Sequence, residues 1–475
     1  MGGSAAEFGE LSRRRLLGLG VVAGVGAVLP GCGGGAPVSS QARTTGPPDP
    51  LALATEAYIY GYPLIMLDMM RAASAPTNTL DHSVLPDPLD RGVARLSHDT
   101  LYSQAWLDLA DQPLVLQIPE MEADRFWLFQ LLDGWGDTVH DLSSEQPRTT
   151  VDAAGPPYTY TLVGPKWTGA VPQATTLLHL PSNLATVLGR IQVNGPVDAT
   201  RVNDRQQRIR LIPADAWQRG DHDGTISRSR QIDRGMEPPA KRIAAMDGRT
   251  YLDRLCRLLI TNPPAAADAP LLDRLARIGV LPGGSVDAVP MAVLDEAVRA
   301  ARRRIAEWTD PTARRVNGWE VPVDRGTSGT DYLRRAATAR RSPGQAPIHD
   351  ILYAELWAPT TDDSGRPLRY RIRFAPDQWP PAAFASLTAY GPDGFLVPNS
   401  AGIYTVGHSP PVMAAPDGAV DIAVQHADPR PEIPAGNWLP IPATGEFSLT
   451  LRLYAPREAA IDGTWEPPPM TPLTT

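Results

Sequence analysis

Hydrophobic and polar residues change their period three times along this chain. Residues 51–72, LALATEAYIYGYPLIMLDMMRA, are apolar nearly all round a helical projection. They predict a buried helix, interrupted or kinked at Gly61–Pro63. From residue 100 the runs shorten to strand length. LYSQAWLDL, PLVLQIP, RFWLFQLLD, YTYTLVG and TTLLHLP are rich in aromatic and branched residues and are parted by proline or charged turns. They predict a mostly antiparallel sheet, onto which SNLATVLGRIQV (182–193) returns as a helix capped by Ser182 or Asn183. Between about 200 and 345 a helical period dominates, in KRIAAMDGRTYLDRLCRLLITNPP, LLDRLARIGVLPG and AVLDEAVRAARRRIAEW. Pro263-Pro264 and Pro282-Gly283 mark two stops. From 346 onward RYRIRFA, FASLTAY, GFLVPN, AVDIAVQH and EFSLTLRLYAP read as strands, with turns at Pro392-Asp393-Gly394 and Pro416-Asp417-Gly418.

The expected architecture is therefore α+β. An N-terminal helix with a mostly antiparallel sheet occupies 51–200, a helical middle region 201–345, and a jelly-roll-like C-terminal β-sandwich 346–475.

The front of the chain follows different rules. In SRRRLLGLGVVAGVGAVLPGC (12–32), Arg13 and Arg14 precede a short run rich in Gly, Ala and Val. Fifteen residues at about 1.5 Å each reach roughly 22 Å, short of a hydrocarbon core of about 30 Å. A charged front, a short apolar middle and small residues at the end describe an export signal of the twin-arginine type over 1–31. Leu29-Pro30-Gly31-Cys32 resembles a lipobox, which makes Cys32 a lipidation site. Residues 32–50, rich in Gly, Pro and Ser, form the tether. The expected location is the extracytoplasmic face of a membrane, with the lipid on Cys32 as anchor.

Composition narrows the chemistry. The chain has 475 residues, enough for two or three domains. Its 50 prolines and 41 glycines agree with many turns. A net charge of −8 supplies no basic field for nucleic acid, so none is expected as a partner. Only two of the 44 basic residues, Lys166 and Lys241, are lysine. Two cysteines without a Cys-x-x-Cys pair exclude a cysteine zinc site, and Cys256 sits in an amphipathic run as a buried thiol. No nucleophile elbow, His-Glu-x-x-His helix, Walker loop or EF-hand loop is present, so any site is assembled from scattered residues and both cofactor and metal stay open.

The scattered candidates fall into groups. His98, Asp99, Tyr102 and Trp106 lie near Asp133, Trp135, Asp137 and His140 on neighbouring strand-like segments. Carboxylates and imidazoles converging there suit acid–base work or a metal, and Trp135 suits stacking on a planar ligand. Arg148 and Arg190 offer forks of donors to a carboxylate or phosphate. Near the C-terminus, His426 and Asp428 suit a base with its orienting partner, with Asn437, Trp438 and Arg452 close in sequence. Asp221-His222-Asp223 has metal-ligand residue types in a polar loop, and Tyr332 beside Asp331 falls where the helical region meets the C-terminal strands.

AYIYGYPLIMLD, HDTLYSQAWLDL, RTT (148–150) and LPSNLATVLGRIQV resemble a bacterial family known as domain of unknown function 1254. FASLTAYGPDGFLVPN, VQHADP, NWLPIP and FSLTLRLYAPREAAIDGTWEPPP resemble its usual C-terminal partner, domain of unknown function 1214. Where that family commonly shows Asn-Arg-Tyr, this chain has Gly402-Ile403-Tyr404. The resemblance implies hydrolysis of a phosphoester as one activity. The resulting expectation is an exported hydrolase of a small polar substrate. Its catalytic residues are His426 and Asp99, and its ligand contacts are Tyr102, Asp133, Trp135, Arg190, Tyr332 and Trp438. The alternatives are a non-catalytic binder of carbohydrate or another envelope ligand, and a structural protein of the envelope.

Overall fold

The computed structural model describes residues 49–473, apart from 75, 87, 90–93, 151–154, 226, 230–236 and 324. The export signal, Cys32 and the tether up to residue 48 lie outside the described residues. Among the described residues the fold is mixed α+β, with four sheets and a helical hub.

The hub forms round the helix Pro50–Ala72, which is capped by Asp49 and unbroken through Pro63. It buries its sides against the helices Gly248–Thr261, Met291–Glu307 and Tyr332–Arg341 in one apolar core. Close approach replaces the expected kink: a Cβ on Gly61 would stand 2.7 Å from the Leu255 side chain. Cys256 is buried in the same core. Among the described residues no helix is long and apolar enough to cross a membrane.

Each half of the chain pairs a large sheet with a small one. In the first half the large sheet runs in the order 227–229, 80–82, 100–108, 184–192, 127–132, 138–143. Its small partner runs 176–179, 158–163, 114–118, 210–213. The segment 182–193 is therefore not a helix. Leu184–Gln192 is a central strand, antiparallel to Thr100–Asp108 on one side and to Trp127–Leu132 on the other. Thr186, Val187 and Ile191 suit a pleated surface, and pairing on both sides outweighs the local cap signal. Ser182 instead accepts the Gly134 N–H at 2.8 Å and donates to the Leu184 carbonyl.

In the second half the large sheet runs 314–316, 319–321, 351–359, 446–454, 384–390, 405–406, and the small one 438–439, 420–424, 370–374, 470–472. GFLVPN contributes no strand; Leu396 makes a single bridge to Tyr390. The middle region is helical but not throughout, since Arg210–Pro213 completes the first small sheet and 314–321 is a hairpin on the edge of the second large one.

The pleat gives both large sheets two different faces. In the first, Leu101, Ala105, Val187, Ile191, Phe129 and Leu131 join the core shared with the small sheet. The alternate positions put Tyr102 opposite Arg190 opposite Leu128, and Gln104 opposite Leu188 opposite Gln130. In the second, Leu352, Ala354, Leu449, Leu451, Leu453 and Leu387 join the other core. The alternate rows are Tyr353, Arg452, Ser386 and Glu355, Thr450, Thr388. The two polar faces approach each other beside an aromatic junction. There Phe384 stacks on Tyr454 with ring centroids 4.1 Å apart, and Phe126 meets both rings edge-on.

This junction is expected to carry much of the coupling between halves. Phe384→Ala should destabilise the fold by about 3 kcal/mol, from lost burial and the cavity left behind. Urea unfolding measures it; a loss below about 1 kcal/mol contradicts the assignment.

Candidate ligand-binding cleft

Between the polar faces lies a cleft of about 90 Å³. The first half supplies Tyr102, Gln104, Leu188 and Arg190, and the second supplies Tyr353, Glu355, Thr450, Arg452 and Tyr454. The loop 94–97 and the turn 342–345 close its sides.

Three guanidiniums line it. Arg190, 6% exposed, donates to the Gln130 side-chain oxygen and, at 2.6 Å, to the Gly344 carbonyl, and lies over the Tyr102 ring at 5.6 Å. Arg452, 4% exposed, donates to the Arg95 carbonyl (2.9 Å), the Tyr390 hydroxyl (2.9 Å) and Thr388 (3.3 Å). Among the described residues neither forms an ion pair. Arg95 does, with Glu355 at 3.8 Å, and it also donates to Thr450 and Ser448. Arg95 holds a φ of 57°, a left-handed conformation rare for a side chain of its size.

The surrounding phenols add no negative charge. Burial pushes Tyr353, Tyr390 and Tyr454 up, against the pull of the neighbouring guanidiniums. They stay neutral at ordinary pH and act through their hydroxyl dipoles. A buried guanidinium cannot shed its proton, so its charge must be met by carbonyls, hydroxyls or an anion.

Of the residues singled out from the sequence, Tyr102 and Arg190 come together here, and Arg452 joins them from the far half. Asp99 stands just behind: buried, it accepts from Thr405 at 3.0 Å and lies 3.5 Å from His408. Its N–H donates to Ser97, whose hydroxyl meets the Tyr454 hydroxyl at 2.8 Å. The half-buried His98 imidazole is pushed down by desolvation and faces the Tyr404 ring.

Asp133, Trp135 and Tyr332 gather elsewhere, around Arg335 of the hub. Its guanidinium lies 5.0 Å from the Trp135 ring and 5.3 Å from that of Tyr332. Tyr332 and Tyr60 both donate to Asp268. The Trp135 face thus meets a cation of its own chain. Asp137 accepts the N–H groups of Ser328 and Gly329, and His140 bonds the His179 carbonyl.

In the C-terminal half, His426 Nδ1 meets the Ile441 carbonyl at 3.0 Å, and the Trp438 indole donates to Gln425. Neither lines the cleft. Asp428 pairs with Arg430. Asp221, His222 and Asp223 are exposed, the imidazole stacking on Trp217.

Sequence reasoning passed over Arg95, Tyr353 and Glu355. The one local signal was the parity of FSLTLRLY, where Ser448, Thr450 and Arg452 alternate with core leucines.

Residues 77–213 match the family described as protein of unknown function (DUF1254), and residues 354–458 match protein of unknown function (DUF1214), in that order. The crystal structure of the VPA0106 protein from Vibrio parahaemolyticus is similar over 90% of this chain and 100% of that one, with a TM-score of 0.62 at 21% identity. That likeness shows a shared fold. A putative uncharacterized protein from Burkholderia cenocepacia aligns over 91% of each chain at 14% identity, with a TM-score of 0.44. No curated protein matches the chain. The cleft draws on both matched segments: Arg95, Tyr102 and Arg190 lie in the DUF1254 segment, and Glu355 and Arg452 in the DUF1214 segment.

Two predictions follow from this geometry. Gly344 has a φ of 77°, and a Cβ there would stand 2.6 Å from Leu188. Gly344→Ala should shift the carbonyl that orients Arg190 and cost about 1–2 kcal/mol; a thermal melt equal to wild type would refute it. The second concerns Asp133, whose carboxyl is raised to about 6 by burial and the Asp137 charge, against N–H bonds from Trp135 and Asp137. Keeping its proton to a higher pH than the unfolded chain's carboxyl, near about 3.9, stabilises the fold at low pH. That contribution is lost as pH rises through about 6. Wild type should lose roughly 1–2 kcal/mol between about pH 4 and pH 6.5 that Asp133→Asn does not lose. Parallel pH profiles for the two proteins would contradict this.

Proposed function

We propose that this chain binds a small oxyanion, a carboxylate or phosphate group, in the cleft between its two large sheets. The observation that carries this reading is the burial of Arg190 and Arg452 without an ion-pair partner among the described residues. An anion between them offsets two desolvated charges and accepts charge-assisted hydrogen bonds. The cleft volume of about 90 Å³ suits a small group, and Tyr102 and Tyr353 supply ring faces and hydroxyls at its walls.

Binding is favoured over hydrolysis because the carboxylate lining the cleft, Glu355, is engaged with Arg95. His426 and Asp99, the residues expected to act as base, stand outside the cleft lining. The paired C-terminal sheets are read as a jelly-roll-like sandwich. The twin-arginine front and the lipobox cysteine support an exported protein held at a membrane face by lipid on Cys32.

The test is calorimetric titration of the full chain with inorganic phosphate and with succinate. One site per chain is expected, with Arg190→Gln weakening it about 10- to 100-fold, the loss of one or two charge-assisted bonds. At a hundredfold excess over Kd the ligand should add about 2.7 kcal/mol of stability. No binding of either anion, or binding untouched by Arg190→Gln, overturns the reading. Turnover of a phosphomonoester that is lost in the same variant would replace binding by hydrolysis.

A further inference from the structure

A second constellation lies outside the cleft. The strand Thr138–Ser143 carries Asp141, and the turn entering the strand Ile351–Pro359 carries His349 and Asp350. His349 Nε2 hydrogen-bonds the Asp141 carboxylate and lies 3.7 Å from Asp350 Oδ2. One ligating atom from each residue falls within 4.8 Å of the other two. The first residue comes from one half of the chain and the other two from the approach to the second half.

Asp350 decides what this cluster is for. Its side chain is only 7% exposed, and Oδ2, turned towards the imidazole, has no hydrogen-bond partner among the described residues. Its backbone is fixed, the N–H donating to Pro347 and the carbonyl accepting from Ala455 at 2.8 Å. The turn that carries the carboxylate is thereby held in place. A buried carboxylate oxygen without a donor costs free energy that a bound cation recovers. A simple His349–Asp141 pair leaves this oxygen unmet. Arg148 occupies the far oxygen of Asp141 at 2.7 Å, which holds the carboxylate in place and leaves its near oxygen for the cluster.

We infer that Asp141, His349 and Asp350 bind a divalent first-row transition cation through one imidazole nitrogen and two carboxylate oxygens. Two carboxylates balance the charge of the ion, and a mixed nitrogen–oxygen set suits zinc or manganese better than calcium or copper(I). Beside the cluster lies a cavity of about 260 Å³, lined by Thr138, Asp141, Arg325, Thr327 and His349 among others. Asp141 and His349 face this cavity, which leaves room there for water or a ligand on the ion.

The full chain, stripped with EDTA and dialysed, is titrated with Zn²⁺ by calorimetry and with Co²⁺ by visible absorption. One equivalent is expected, with a Kd at or below about 10 μM and Co²⁺ bands of nitrogen–oxygen ligation. His349→Gln and Asp350→Asn should each weaken Zn²⁺ at least about tenfold and abolish the Co²⁺ bands. Far-UV circular dichroism should not change, because His349 is exposed and Asn matches Asp in shape. Absence of a stoichiometric site at about 100 μM Zn²⁺ overturns the inference. So does binding that persists in both variants, which would place the metal on other histidines.

Discussion

Much of the junction between the halves depends on one charge that cannot leave. Arg452 is buried on a central strand, and its guanidinium keeps its proton in any protein environment. Its donors must be met, and the groups that meet them come from separate parts of the chain: the Arg95 carbonyl, the Tyr390 hydroxyl and Thr388. Arg95 in turn sends its side chain back to Thr450, Ser448 and Glu355. The loop 94–97 is thereby pinned to the second large sheet, and the left-handed backbone at Arg95 is the local cost of that pin.

Arg190 does the corresponding work from the first sheet. It reaches the Gly344 carbonyl in the turn before the second sheet, and Gln130 on the neighbouring strand donates to the Gln345 carbonyl. Next to these polar ties the junction is apolar, with Phe126, Phe384 and Tyr454 in mutual ring contact. Aromatic packing sets the spacing of the halves while the arginines set what the space between them attracts. This division explains how two cations stay desolvated: the area buried by the rings offsets the cost of dehydrating the guanidiniums.

The helical hub uses a similar device to a different end. Arg335 lies among Tyr60, Trp135 and Tyr332, with Asp137 at 4.0 Å and Asp268 holding two of the phenols. There Asp137 supplies a counter-charge, and Trp135 and Tyr332, which read as ligand contacts, pack against the Arg335 guanidinium instead. In the cleft no carboxylate among the described residues pairs with Arg190 or Arg452, and the proposed anion site rests on that difference.

Local pattern alone determined most strand runs of both halves and the central helices, GFLVPN excepted, because period-2 and helical alternation are properties of neighbouring residues. It also placed Arg452 among leucines at alternating positions. It misjudged 182–193, since a Ser-Asn cap signal and a strand rich in branched residues coexist there and only pairing with Thr100–Asp108 and Trp127–Leu132 decides between them. It named Arg190 and Arg452 among its candidates but could not bring them to one cleft, nor join Asp141 to His349 across 208 residues. Those sites exist because the halves close on each other. Closure is set by side-chain packing and desolvation between segments far apart in the chain, which no local period encodes.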